Sequence, residues 1–324
     1  MSLRDQFREG LYDSEQKPRL NYARNYFLEF SLDKDIDFEE LEKFYVEWRD
    51  YDEYIVFQKQ TDKLRETGEI EKETVAIKGA KRGNDVYAWH LWNRLKFLYT
   101  LKNRSFFDPH GNIKLSNLLF VTLTYDVKLS TIREAWEIVG AEFNKWIRNL
   151  RKKFGRVSYL RCWEATKRGY PHVHLLMIFH DYEFRIDARK SKNSKYRIVE
   201  KEAFERSWDS FVDVQAIRKM REGIKYATKY LSKSNTESQT HVLTFALCWL
   251  FRKRSFAVSG DLYDVIQASI GYRRMIQTNL MGEEVTLNVV WVFIGIFSAE
   301  TLRITHNEWR KTITDKKVLN EILT

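Results

Sequence analysis

Two histidines separated by one residue are the first feature of this sequence that could do chemistry. His172 and His174 interrupt the apolar run from Tyr170 to Phe179, which has the composition of a buried strand. Side chains two positions apart project from the same face of a strand, so both imidazoles can point at one divalent cation. A strand can also carry two such histidines without any metal, so the interpretation requires a third ligand.

Glu164 is the predicted third ligand. It lies at the end of the preceding predicted strand, and the turn from Thr166 to Pro171 returns the chain toward His172. A carboxylate beside two imidazoles, completed by water, suits magnesium or manganese and would also tolerate zinc. We therefore predict a divalent metal cofactor, Mg²⁺ or Mn²⁺.

A second set of reactive residues lies between Gly223 and Lys233, where the unit Tyr-x-x-Lys occurs twice. Tyr226 and Tyr230 are four positions apart and share a helix face, with Lys229 and Lys233 on the same broad side. Nearby positive charge favours the phenolate of a tyrosine, whose ordinary pKa is about 10, and so makes it a nucleophile. An amphipathic helix that packs its tyrosines and exposes its lysines is the alternative.

The surrounding pattern predicts the elements that position these residues. Strands alternate with crossover helices, which indicates an α+β fold: one antiparallel sheet with helices mainly on one face. The predicted strands are Leu118 to Tyr125, Val157 to Ala165, His172 to Phe179 and Phe211 to Ile217, and the predicted helices are Thr131 to Phe154, Lys201 to Asp209 and Met220 to Ser232.

The N-terminal part is predicted to be mainly helical. Apolar residues recur at helical spacing, and Asp37 is the expected cap of the second helix. Four aromatic residues are expected in a helical core rather than in base-stacking positions. The predicted helices are Asn21 to Leu32, Phe38 to Arg65 and Asp85 to Leu101, and the aromatic residues are Trp48, Tyr51, Trp89 and Trp92.

Charge is distributed unevenly along the chain. Residues 1–75 contain 12 Lys and Arg against 20 Asp and Glu, whereas the remaining residues contain 43 against 25. The basic remainder suits a polyanionic partner. Cys162 and Cys248 are too few for a disulfide framework and are predicted to be core thiols. The lack of a secretory or membrane-spanning stretch in this sequence favours a cytoplasmic protein without a membrane partner.

Together these segments resemble the three motifs of the HUH endonuclease superfamily, in particular the rolling-circle replication initiators of plasmids and small single-stranded DNA phages. The first motif resembles Phe120 to Thr124, the second His172 to His174, and the third Tyr226 to Lys233. The doubled tyrosine is similar to the two-tyrosine branch. The likeness covers roughly Leu118 to Gly260.

This resemblance implies an HUH endonuclease fold, an RRM-like central antiparallel sheet flanked by helices. It implies that His172, His174 and Glu164 bind the metal and that Tyr226 or Tyr230 attacks DNA. The products would be a 5′-phosphotyrosine and a free 3′-OH, followed by strand transfer. The expected domains are an N-terminal mainly helical region (1–110), the catalytic domain (111–235) and a C-terminal mixed accessory region (236–324).

The expected partners are single-stranded DNA at a replication origin and a host helicase and polymerase, which would associate the protein with plasmid or nucleoid DNA. Lys229 is predicted to bind phosphate and activate the phenol. Further basic residues are predicted to follow the DNA backbone; these are Lys225, Lys233, Arg168, Lys145, Arg148 and Lys152.

Two alternatives remain at this point. The first is a transposase or relaxase of the same superfamily, although His180 is poorly placed as a relaxase's third histidine and no cysteine-rich zinc region is present. The second is a non-catalytic module that holds nucleic acid on its sheet and basic faces.

Overall fold

The computed structural model describes residues 36–64, 70–95, 98, 106–107, 113–128, 130–192, 195–208, 210–217, 224, 239–262, 276–278, 284–286, 289–305 and 308–324. The helices are α1 (Phe38–Asp50), α2 (Asp85–Leu95), α3 (Ile132–Phe154), α4 (Glu202–Glu205), α5 (Gln239–Leu250) and α6 (Lys316–Leu323). The strands are β1 (Glu53–Leu64), β2 (Ile70–Lys78), β3 (Phe106–Phe107), β4 (Ile113–Ser116), β5 (Leu118–Thr124), β6 (Val157–Ala165), β7 (Pro171–Phe179), β8 (Phe184–Lys192), β9 (Lys195–Ile198), β10 (Val212–Ala216), β11 (Phe256–Val258), β12 (Ile276–Thr278), β13 (Glu284–Thr286), β14 (Val289–Ser298) and β15 (Arg310–Thr312).

The described residues form two compact units. One unit contains Val46–Tyr87 and Gly271–Thr324, and the other contains Ile36–Tyr45 and Ala88–Ile270. The division into three regions at residues 110 and 235 remains a prediction.

The first unit is built on a four-stranded sheet of order β14-β1-β2-β15, in which every pairing is antiparallel. The predicted helix from Phe38 to Arg65 is therefore wrong beyond Asp50, because β1 occupies its second half. The cause is long-range: Glu53 pairs with Ser298, a partner that local periodicity cannot reveal. The core of this unit consists of Tyr54, Val56, Ala76, Leu302, Ile304, Ile313, Val318 and Ile322.

The predicted aromatic helical core is also wrong in large part. Tyr51, Trp89 and Trp92 are 43%, 47% and 54% exposed. The prediction of a helix cap is confirmed, since the Asp37 carboxylate accepts hydrogen bonds from the amides of Glu39 and Glu40. The predicted helix from Asn21 to Leu32 lies outside the described residues.

The second unit is built on a nine-stranded antiparallel sheet of order β11-β6-β7-β5-β10-β9-β8-β4-β3. The α+β class is thereby confirmed, and the predicted strands correspond to β5, β6, β7 and β10. The hairpin of β8 and β9 was not predicted, because Arg185 to Lys195 was interpreted only as a basic surface. Charged residues in this hairpin alternate with few apolar ones, so it lacks the pattern of a buried strand.

Helix α3 covers one face of this sheet. Thr131 caps its first turn in a reciprocal capping box with Glu134. Its buried side contributes Trp136 and Phe143, which contact Trp163 of β6. Both cysteines are buried and unpaired, as predicted. Among the described residues, no helix is both long and apolar enough to cross a membrane.

Candidate metal centre

The histidine strand β7 lies between β6 and β5 in the middle of the strands that carry the site. Its residue His172 pairs directly with Glu164 of β6 and with Thr124 of β5. The next residue on the same face, His174, pairs with Thr122. Cross-strand partners share a face of a sheet, so two imidazoles, a carboxylate and two hydroxyl groups meet there.

A tight turn fixes the register between Glu164 and His172. The amide of Thr166 donates to the carbonyl of Tyr170 at 2.9 Å, and the indole of Trp136 donates to the carbonyl of Gly169 at 2.7 Å. Gly169 has a φ of +83°, and a Cβ at this position would approach the Phe38 ring to 2.3 Å. Glycine is therefore the residue that this turn requires.

The three predicted metal ligands converge. The candidate ligand atoms of Glu164, His172 and His174 all lie within 4.8 Å of one another. The Nε2 atom of His174 lies 2.5 Å from Oε2 of Glu164, and the two imidazole rings are 4.8 Å apart between centroids. These three side chains could hold a metal ion.

Two threonines contact the outer nitrogens of the imidazoles. Thr122 Oγ1 lies 3.2 Å from Nδ1 of His174, and Thr124 Oγ1 lies 3.2 Å from Nδ1 of His172. When Nε2 binds a metal, the Nδ1 proton can be donated to the threonine hydroxyl, which fixes the tautomer and the ring orientation. Phe120, on the same face of β5, stacks on His174.

Sequence reasoning did not assign a role to these β5 side chains. The signal was present, because Phe120, Thr122 and Thr124 alternate with buried residues and so share one face. Their contact with the histidines became visible only with the register between β5 and β7.

The surroundings keep His172 neutral at physiological pH. Burial, and then the neighbouring His174, lower the pKa of His172 to about 4, although the Glu164 carboxylate opposes the shift. A neutral imidazole offers the lone pair that a metal requires. Two imidazoles and one carboxylate leave positions for water and substrate, and this donor set fits Mg²⁺, Mn²⁺ or Zn²⁺.

The third histidine of the strand region does not join this group. His180 follows the opposite end of β7, where its Nε2 lies 2.7 Å from Oγ of Ser158. The arrangement agrees with the sequence argument against His180 as a further metal ligand.

The predicted nucleophiles and their lysines lie outside the described residues. Those residues are Tyr226, Tyr230, Lys225, Lys229 and Lys233. Within this segment the structure describes Ile224, which is helical and buried. The assignment of the tyrosines remains a prediction.

The predicted DNA-binding cations in the described residues fall into two places. Arg168 is exposed in the turn between β6 and β7, at the end of these strands that carries Glu164 and His172. Lys145, Arg148 and Lys152 are exposed on α3, whose buried side packs on the opposite face of the sheet. These three side chains therefore do not converge with the metal ligands.

An α+β unit with two imidazoles and a carboxylate on its sheet belongs to the class of proteins with a candidate metal centre. Residues 118–235 match a family model for replication-associated proteins of the ORF2 type, and the matched segment contains the whole candidate site. This similarity is consistent with a replication initiator. No significant match was found among curated proteins or among solved structures.

Proposed function

We propose that this protein is a rolling-circle replication initiator, a metal-dependent nickase and strand transferase of the two-tyrosine HUH type. One observation carries the proposal: Glu164, His172 and His174 converge within the segment that is similar to replication-associated proteins. The two-tyrosine type rests on the resemblance of Tyr226 to Lys233 to the third motif.

In this mechanism the chain's residues divide into holding and attacking groups. Glu164, His172 and His174 hold a divalent cation, which when bound supplies a Lewis acid for the scissile phosphate. The phenolate oxygen of Tyr226 or Tyr230 attacks phosphorus and forms a new phosphorus–oxygen bond. The bond from phosphorus to the 3′ oxygen breaks, and that oxygen takes up a proton to become a free 3′-OH.

The proposed substrate is single-stranded DNA at a replication origin. The free 3′-OH would prime a host polymerase, and the phosphotyrosine would conserve the bond energy so that rejoining needs no ATP. The second tyrosine would attack the regenerated site, after which the released 3′-OH would attack the first phosphotyrosine and close a circle. The sequence has no Gly-x-x-x-x-Gly-Lys-Ser/Thr motif, so unwinding is assigned to a host helicase.

The decisive experiment is incubation of the full chain with a library of single-stranded origin DNA and Mn²⁺, followed by sequencing of tyrosine-linked 5′ ends. We expect a covalent adduct at a defined site. Tyr226→Phe combined with Tyr230→Phe should abolish the adduct, and His172→Ala should abolish metal-dependent cleavage. Tyr182→Phe, which alters a tyrosine that packs against Phe154, is the matched control and should retain the adduct.

Two results would overturn the proposal. Full nicking by the double tyrosine variant or by His172→Ala would remove the site assignment. DNA binding that is unaffected by a chelator, with no adduct under any condition, would instead support a non-catalytic nucleic-acid-binding module.

A further inference from the structure

An arginine with a buried donor atom lies on the face of β6 opposite the metal centre. Arg161 and Glu164 are three positions apart on the strand, so their side chains point to opposite faces. The Arg161 guanidinium lies between two aromatic rings, 4.9 Å from the centroid of Phe143 and 4.4 Å from that of Trp163. Within the described part of the chain, its side chain makes no hydrogen bond or ion pair, and its Nε is buried without a partner.

A second buried donor beside Arg161 also lacks an acceptor. The indole Nε1 of Trp163 is buried and has no hydrogen-bond partner among the described residues. Nearly all buried N–H groups in folded proteins are paired, because an unpaired donor loses its water without compensation. Two neighbouring unpaired donors therefore indicate that an acceptor from outside the chain belongs here.

Two further cations approach Arg161 from the segment after α5. Burial, and then the charge of Arg161, lower the pKa of Lys253. The charge of Arg254 also acts to lower the pKa of Arg161, whose largest shift comes from burial. The repulsion identifies Arg161 as the centre of a cationic cluster.

This cluster has little negative charge of its own. Lys253 donates through Nζ to the backbone carbonyl of Glu137 at 3.1 Å. The carboxylate of Glu137 is exposed and lies 3.5 Å from Arg133, with which it forms an ion pair. The Coulomb attraction that would stabilise the Arg161 charge is thus weak without a bound anion.

We propose that Arg161, Lys253 and Arg254 bind a phosphate group on the face of the sheet opposite the metal centre. The planar guanidinium can donate two parallel hydrogen bonds to phosphate oxygens, and a lysine ammonium adds a point charge. Since the sheet separates this group from Glu164, the bound phosphate is not the one that is cleaved. Its source is either a nucleic-acid backbone or free phosphate.

The test measures phosphate binding by the full chain in the presence of a chelator. Inorganic phosphate should raise the thermal midpoint above that in chloride of equal ionic strength, because a ligand that binds only the folded state stabilises it. Arg161→Gln and, separately, Lys253→Gln should each weaken the calorimetric affinity by about tenfold, as expected for the loss of one charge-assisted hydrogen bond. Arg206→Gln, which removes a charge from the exposed end of helix α4, is the matched control and should leave the affinity unchanged.

The variants also separate binding from a purely structural role. Without phosphate, Arg161→Gln should unfold at the same temperature as the unaltered chain or higher, because the substitution removes a charge that has no counter-ion in its largely apolar surroundings. A lower midpoint with an unchanged phosphate response would overturn the proposal. An identical midpoint of the unaltered chain in phosphate and chloride would overturn it as well.

Two additional arms identify the source of the phosphate. Competition of a twelve-residue oligothymidylate with inorganic phosphate supports a backbone phosphate, whereas binding of inorganic phosphate alone supports the free anion. The same measurements on His172→Ala should be unchanged, since the metal centre is on the other face; loss of the response in this variant would contradict the location. Failure of the nickase proposal would leave these outcomes unaltered, because none of them measures cleavage.

Discussion

At the scale of single residues, the geometry of the metal centre depends on hydroxyl groups as well as on its three ligands. Thr122 and Thr124 contact the nitrogens of His174 and His172 that face away from Glu164 and the other ligand atoms. Such partners orient a ligating imidazole and fix its tautomer, and their loss commonly lowers metal affinity by about 10- to 100-fold. We therefore classify both threonines as positioning residues.

The first prediction is that Thr122→Val combined with Thr124→Val weakens Mn²⁺ binding by about 10-fold or more, because valine preserves the shape of the side chain and removes its hydroxyl. Isothermal titration calorimetry measures the dissociation constant directly. The matched control is Thr122→Ser with Thr124→Ser, which retains both hydroxyl groups and should bind nearly as the unaltered chain. Equal affinities of the valine and serine variants would show that the hydroxyl groups do not orient the histidines.

The second prediction concerns pH in the metal-free protein. The pKa of His172 falls from an ordinary value of 6.5 to about 4 on folding, so between these values the unfolded chain binds a proton that the folded chain does not. The free energy of unfolding should consequently rise as the pH increases from about 4 to 6.5 and level off above it, as far as His172 contributes. Urea unfolding in a chelator at a series of pH values measures this slope.

His172→Gln is the control for that measurement, because glutamine has no titrating group in this range. The variant should have a shallower dependence on pH between 4 and 6.5 than the unaltered chain. The same slope in both would mean that another group causes the dependence.

At the scale of secondary-structure elements, the long helix α3 positions the turn between the metal-bearing strands. Its indole at Trp136 holds Gly169, and its first turn is capped by Thr131 and Glu134. The third prediction is that Thr131→Ala lowers the free energy of unfolding by about 1 kcal/mol, because an amide of the first turn loses its acceptor. Urea unfolding checks this value. Thr131→Ser keeps the acceptor and should remain close to the unaltered chain, so an equal loss in both variants would exclude a capping effect.

Elements with local signals could be predicted from the sequence, and elements with distant partners could not. Strands β6 and β7 were predicted from apolar runs joined by a short turn, and that turn was enough to place Glu164 beside His172. Strand β1 was not predicted, because its partner β14 lies at the other end of the chain. The contact of Thr124 with His172 depends on a register between residues 48 positions apart, which no local pattern determines.

At the scale of the whole chain, the distribution of charge bears on how DNA would be bound. Positive charge is concentrated after residue 75, and within the second unit it appears on both faces of the sheet. Arg168 is near the metal ligands, whereas Lys145, Arg148 and Lys152 project from α3 on the other side. Contact with both sets would require DNA to extend beyond the metal face.

The final prediction tests that extended path. Replacement of Lys145, Arg148 and Lys152 by glutamine should reduce the slope of log affinity against log salt concentration by about two, because each phosphate contact to single-stranded DNA contributes roughly 0.7. Fluorescence anisotropy with a labelled oligonucleotide at several KCl concentrations measures the slope. Arg310→Gln, Lys316→Gln and Lys317→Gln together remove the same charge from the first unit and serve as the control. An equal reduction by both triple variants would indicate a general effect of net charge, whereas an unchanged slope in the α3 variant would restrict the DNA to the metal face.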